Sequence, residues 1–244
     1  MRTFLIYDLE TFFKKIGYNW EKDIYKLKTI CHFTKTRVKP KMEAHEFDRG
    51  SEQPFVIKAV AEWINAKSFF EIGTGRGTAC YSVSLLPTIE NITTIDIVPH
   101  DFKKNEAIGY RSAVVSNKDL FEKIPYEEKN KIDFRLRKEK IDIMMKYKNH
   151  FDLCFIDGNH TDPNIIYEDY MICRQVMKDD GIIIWDDYEL NRFAIKSVVD
   201  QIIKEEPEID IALIELRGHI FKGKEGKEKE KDSGMVMMKK GKLF

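Results

Sequence analysis

Three acids and a histidine in the second half of the chain have the types and spacing for chemistry on a hydroxyl group. Asp157 opens the run Asp157-Gly158-Asn159-His160, and the pair Asp186-Asp187 follows 29 and 30 positions later. Clustered carboxylates repel one another unless a cation sits among them. Oxygen ligands of this kind suit a hard divalent ion, Mg²⁺ most naturally, with Ca²⁺ or Mn²⁺ as substitutes. Asp157, Asp186 and Asp187 are therefore candidate metal ligands. His160 is the candidate general base, with Asp157 beside it as a second candidate catalytic residue, because an imidazole of pKa about 6.5 can take a hydroxyl proton at neutral pH. The competing reading is structural: Asp serves often in turns and N-caps, and a loop histidine can do no more than cap the helix after it.

A second constellation lies earlier, in Glu71-Ile72-Gly73-Thr74-Gly75-Arg76-Gly77. A glycine-rich turn between a strand and a helix lets the backbone approach a ligand closely and aims free helix amides at it. A dinucleotide fingerprint would be GxGxxG, but here the third glycine falls one residue early and its place is taken by Thr78, which disfavours a nicotinamide cofactor. Glu71, two before the first glycine, would repel a pyrophosphate but suits a cationic amino group. Asp96 closes the next apolar run, where a carboxylate can accept hydrogen bonds from two ribose hydroxyls.

These residues need elements to carry them. Apolar runs at Ser68 to Ile72, Ile92 to Ile97, Ile132 to Leu136, Phe151 to Ile156 and Gly181 to Trp185 read as strands, with helices expected at 78 to 86, near 139 to 147, at Pro163 to Met177 and at Arg192 to Glu205. Such alternation implies a parallel sheet with right-handed crossovers, an α/β Rossmann-like doubly wound fold. In an open parallel sheet the ligand crevice lies at the carboxyl ends of the strands, where both constellations fall. Before the first clear strand, Glu52 to Asn65 carries apolar residues at helical spacing. Residues 1–51 are expected to form an N-terminal cap with short helices at Leu9 to Ile16 and Glu21 to Ile30, and residues 52–244 the main domain. Ile209 to Leu216 and Met235 to Lys239 read as a C-terminal antiparallel hairpin. The alternating charges of 222–232 between them suggest a mobile, solvated loop. Asp169 is expected on the solvated side of its helix, while Trp185 and Tyr188 suit either a substrate pocket or the core.

Glu71, the glycine loop and Asp96 together resemble the first two motifs of class I S-adenosylmethionine (SAM)-dependent methyltransferases. The Asp-Gly-x-His segment and the Asp-Asp pair resemble the metal-dependent O-methyltransferases, the macrocin and mycinamicin type that methylates sugar hydroxyls and, more distantly, the catechol type. The resemblance covers roughly residues 52 to 200. It implies SAM held by Glu71, Gly73, Thr74, Gly75, Gly77 and Asp96, with Glu139 in the turn Arg137-Lys138-Glu139 as an adenine contact. Arg49, Gly50 and Ser51 are the candidates for the methionine carboxylate. It also implies Mg²⁺ on Asp157, Asp186 and Asp187, and transfer to a hydroxyl of a small molecule such as a sugar. The insertion at 100–130, with Ile108-Gly109-Tyr110-Arg111-Ser112, would form a lid over the acceptor. The alternatives are a SAM-dependent N- or O-methyltransferase without metal, a non-catalytic Rossmann-like binding module, and an NAD-dependent enzyme.

Composition narrows the partners. Lys and Arg number 41 and Asp and Glu 41, so the net charge is zero and nothing global attracts nucleic acid or an anionic membrane. A small-molecule acceptor is expected, with homo-oligomerisation as fold habit. Cys31, Cys80, Cys154 and Cys173 show no CxxC pairing and read as reduced core thiols. The opening residues are too short an apolar stretch for a signal peptide and no long apolar span follows, so a cytoplasmic protein is expected.

Overall fold

In chain order, β1 (Leu5–Asp8) and α1 (Leu9–Ile16) lead to α2 (Ile24–Thr34) and α3 (Gln53–Trp63). Then come β2 (Ser68–Ile72), α4 (Thr78–Ser84), β3 (Asn91–Asp96), α5 (Asn117–Lys123), β4 (Ile132–Leu136) and α6 (Lys140–Lys146). The second half holds β5 (Phe151–Ile156), α7 (Pro163–Val176), β6 (Met177–Trp185), α8 (Ile195–Glu205), β7 (Ile209–Glu215) and β8 (Gly234–Lys240). This computed structural model describes residues 5–34, 52–102, 116–188, 194–216 and 234–244.

The strands form one 8-stranded sheet in the order β1-β7-β8-β6-β5-β2-β3-β4. Among the described strands only β8 runs against its neighbours, antiparallel to both β6 and β7. The expected Rossmann-like sheet with a C-terminal antiparallel hairpin is the observed one. From β2 the chain steps outward to β3 and β4, then returns across β2 to place β5 on its other side. The strand order therefore reverses between β2 and β5, the topological switch point at which an open α/β sheet leaves a crevice.

Continuous apolar runs are what a sheet covered on both faces requires. Leu153 and Phe155 belong to the core on one face together with Phe12, Leu27, Phe55 and Val56 from α1, α2 and α3. Cys154 and Ile156 point the other way, into a second core with Ile166, Tyr170 and Val198 from α7 and α8. The same period of two divides Ile182 and Ile184 from Ile183 and Trp185. All four cysteines are buried free thiols, as expected. Among the described residues no helix is long and apolar enough to cross a membrane.

The N-terminal segment is more closely joined to the sheet than a cap need be. Its helices lie close to where the sequence places them, but they are preceded by β1, which pairs in parallel with β7 at the sheet edge. Leu5 and Ile6 are exposed there, so no alternation announces the strand. Asp8 ends it by accepting a hydrogen bond from Thr11 N at 2.9 Å, an N-cap for α1. Inside, buried Lys58 of α3 donates to Asp23 Oδ2 at 2.6 Å, and Tyr18 Oη donates to the same oxygen at 2.7 Å. That cluster pins the first helices to α3. Of the other sequence features, the charged loop at 222–232, Arg49 to Ser51 and Ile108 to Ser112 lie outside the described residues.

Candidate functional site

The glycine loop leaves β2 in left-handed backbone conformations. Gly73 has φ +95°, and a Cβ built on it would lie 1.9 Å from the carbonyl oxygen of Asp157. No side chain fits there. Gly77, at φ 78°, is the N-cap of α4. The loop is tied to β3 through Gly73 N to Ile95 O at 2.8 Å and Gly75 N to Asp96 Oδ2 at 3.0 Å. Asp96 also accepts from Val98 N at 3.0 Å, so its carboxylate is fixed between the loop and the strand that carries it.

Glu71 is buried on the α3 and α4 side of β2. It accepts a hydrogen bond from Thr94 Oγ1 at 2.5 Å, and that hydroxyl is 2.7 Å from Thr74 Oγ1. Glu71, Thr74 and β3 are thus joined by one hydroxyl chain. Cys80 lies nearby; burial, reinforced by the negative charge of Glu71, pushes its thiol well above the ordinary range. Arg76 donates to Thr34 O at 3.2 Å and Thr78 Oγ1 to Thr34 Oγ1 at 3.0 Å, so the end of α2 is seated on the glycine loop. Glu139 lies apart from this group. Its carboxylate accepts from Leu136 N at 3.0 Å and Arg135 at 3.3 Å, capping the short 3₁₀ turn Arg137–Glu139 that follows β4.

The second constellation sits at the ends of the adjacent strands β5 and β6. Asp157 N donates to Ile72 O at 2.8 Å and Asp186 N to Ile156 O at 3.0 Å, which extends the sheet ladder by one rung and holds both acids at its rim. Asp187 follows in a left-handed conformation, φ 52°, a strained geometry that Asp tolerates better than most residues. His160 Nε2 is 3.7 Å from Asp157 Oδ1, and its Nδ1 is 3.8 Å from Asp187 Oδ2. One donor atom from each of Asp157, His160 and Asp187 lies within 4.8 Å of the others.

Asp186 differs from its neighbour. It is buried and accepts from the side-chain amide of Gln53, which also lies 3.5 Å from Asp157 Oδ2. Gln53 stands in the first turn of α3. The sequence gives no signal for it, since a glutamine at a helix start is ordinary. The helix-capping alternative for His160 is answered by its neighbours. Asp162 caps α7 by accepting from Asn164 N at 2.9 Å, and Asn159 Oδ1 accepts from the backbone N–H groups of Thr161 and Asp162. Trp185 is core rather than pocket: it stacks on Tyr170 with centroids 6.3 Å apart and donates to Met238 Sδ.

Asp169 requires a correction. Expected in solvent, it is completely buried and paired with Arg137, whose second nitrogen reaches Glu168 at 2.7 Å. Burial pushes its carboxyl up to about 6, against the downward pull of Arg137. A signal was present in the sequence: Ile166, Asp169, Tyr170 and Cys173 recur at i, i+3, i+4 and i+7, so Asp169 shares the apolar stripe of α7.

Residues 70–188, which hold the glycine loop and the whole acidic cluster, match a family model described as a methyltransferase domain. No curated protein matches the chain. Among solved structures, the fold is similar to that of the O-methyltransferase TomG from Streptomyces achromogenes, with TM-score 0.54, 14% identity, and 94% of this chain and 95% of that one covered. An O-methyltransferase from Bacillus cereus gives TM-score 0.55 and 14% identity, covering 87% and 91%. The Podospora anserina methyltransferase PaMTH1 gives TM-score 0.55 and 17% identity, covering 99% and 100%. At such identities the likeness is one of fold.

Proposed function

We propose, taking residues 70–188 as a methyltransferase domain, that the protein moves a methyl group from SAM to a hydroxyl oxygen of a small molecule, assisted by a divalent cation. The observation that carries this reading is the convergence of Asp157, His160 and Asp187 within 4.8 Å, beside a loop whose Gly73 touches the Asp157 backbone. The two carboxylates are oxygen donors that fit a hard divalent ion, and the imidazole lies within reach of both. When bound, SAM supplies an electrophilic methyl on a sulfonium, and the cation supplies positive charge that makes a nearby hydroxyl easier to deprotonate.

The residues of the chain do the rest by positioning. The glycine loop and Asp96 hold the donor at the switch point, with Asp96 as the ribose contact. Asp157 and Asp187 hold the cation, and Gln53 keeps Asp186 turned beside them. His160 takes the acceptor proton as the new C–O bond forms and the C–S bond breaks, which leaves S-adenosylhomocysteine and a protonated imidazole that returns its proton to water. For the acceptor, a sugar hydroxyl is our reading from the sequence resemblance.

The test is calorimetric titration of the purified protein with SAM and then with Mg²⁺, repeated on Asp157→Ala and Asp187→Ala. SAM binding in all three with Mg²⁺ binding only in the parent supports the reading. SAM binding with no Mg²⁺ binding in the parent moves it to methyl transfer by proximity alone. No SAM binding by the parent replaces it with a non-catalytic binding role.

A further inference from the structure

The buried carboxylate of Asp169 is not needed to form α7 or to fill its core. An apolar side chain on the same stripe would pack there without the desolvation cost of a charge, and buried ion pairs are weak contributors to stability for that reason. One oxygen, Oδ1, accepts from Arg137. The other, Oδ2, has no hydrogen-bond partner among the described residues. It lies against Gly158, 2.9 Å from where a Cβ on that residue would stand. Asp169 therefore faces the backbone of the loop that carries Asp157 and His160, and a side chain at Gly158 would have to displace the Asp169 carboxylate.

Arg137 comes from the far side of the crevice. It is the first residue of the turn after β4, and in the sheet β4 is separated from β5 by both β2 and β3. Its guanidinium holds Asp169 and Glu168 together, and Lys140 adds a second cation to Glu168. A planar fork with two acceptors on successive residues fixes both distance and orientation, which a lysine in the same place would not do. A single side chain thus connects the turn at the end of β4 to the helix beneath the loop at the end of β5.

We propose that Asp169 and Arg137 are positioning residues: the buried pair holds the loop from Asp157 to His160 in register with the turn from Arg137 to Glu139, so that both sides of the crevice move as one. The register of the loop is intrinsic to the fold, while its value for methyl transfer rests on the function proposed above. Gly158 is part of the device, since the Asp169 carboxylate closes the space a side chain would use.

The experiment is amide hydrogen exchange on the ligand-free protein, comparing the parent with Arg137→Met, Arg137→Lys and Asp169→Asn, and titration of each with SAM. The expected result is exchange about tenfold faster in residues 157–162 when only Arg137 is changed, with residues 151–156 of β5 unaffected. SAM affinity should fall by a similar factor, and Arg137→Lys should resemble Arg137→Met because it lacks the fork. Parent-like exchange at 157–162 in a folded Arg137→Met protein overturns the proposal, as does faster exchange spread evenly over the sheet. Should Arg137→Met fail to fold, the same two outcomes are read from Arg137→Lys. Faster exchange at 157–162 in the Arg137 variants together with a parent that does not bind SAM sinks the methyltransferase reading and leaves the coupling standing.

Discussion

Gly73 and Asp157, the first residues beyond β2 and β5, meet backbone to backbone: a Cβ on Gly73 would stand 1.9 Å from the Asp157 carbonyl oxygen. The loop assigned to the methyl donor and the loop assigned to the cation and base are therefore a single contact surface. Neither loop can shift without displacing the other.

Gly73→Ala should accordingly damage both functions at once. The left-handed conformation alone costs about 1–2 kcal/mol for a residue with a Cβ, and the clash forces the Asp157 loop outward. Calorimetry should show SAM and Mg²⁺ affinities both reduced, with a lower melting temperature. Loss of SAM affinity with unchanged Mg²⁺ affinity would show that the two loops adjust independently.

The acids that hold the cation and the glutamine that supports them should behave differently. Asp187→Asn and Asp157→Asn are expected to abolish Mg²⁺ binding, whereas Gln53→Ala, which removes the amide from Asp186 and Asp157, should weaken it about tenfold, as loss of a supporting partner does. His160→Ala is expected to keep most of the Mg²⁺ affinity while losing methyl transfer to a hydroxyl acceptor. If His160→Ala binds Mg²⁺ no better than Asp157→Asn, the imidazole is a ligand and the base must be sought elsewhere.

Acid should loosen the sheet at Asp152. Burial raises the pKa of this carboxyl, but the ion pair with Lys178 at 2.6 Å and the bonds from Lys67 N, Ser68 N and Ser68 Oγ outweigh it, so the folded value lies below the ordinary 3.8. A depressed folded pKa gives stability that is present above the unfolded value and lost as pH falls through the folded one. Asp152→Asn should therefore be less stable than the parent at pH 7, with the difference shrinking below about pH 4. A constant difference across urea titrations at pH 3 and 7 would contradict this.

Lys58→Met should expose the cost of breaking a buried pair. The Lys58 and Asp23 side chains are 4% and 10% exposed, so removing the cation strands a buried charge that, among the described residues, keeps the Tyr18 hydroxyl as its donor. Urea unfolding should show a loss of about 3–5 kcal/mol. Adding Asp23→Leu should restore much of it, since an apolar pair of similar volume has no charge to desolvate. Failure of the second substitution to restore stability would mean that the pair does more than neutralise itself.

The sequence by itself determined the sheet and the location of the crevice. Strand and helix periods are local properties, and they placed β2 to β8 and the helices α4, α6, α7 and α8 to within a few residues, although β6 begins at Met177 rather than Gly181, the short α5 within the 100–130 insertion was not placed, and β1 was hidden because a short, half-exposed edge strand has no periodic pattern. Glycine spacing and acids at strand ends are also local, so Gly73, Asp96, Asp157 and Asp187 could be singled out before any coordinates. What the tertiary structure alone decided is which of these groups face one another. It set Gln53 against Asp186, brought His160 between Asp157 and Asp187, and carried Arg137 under the crevice to Asp169. Each of these pairings, the short hop from Asp157 to His160 excepted, joins residues 27 to 133 positions apart. The partner of a side chain at that range is set by strand order and helix docking, which no local pattern encodes.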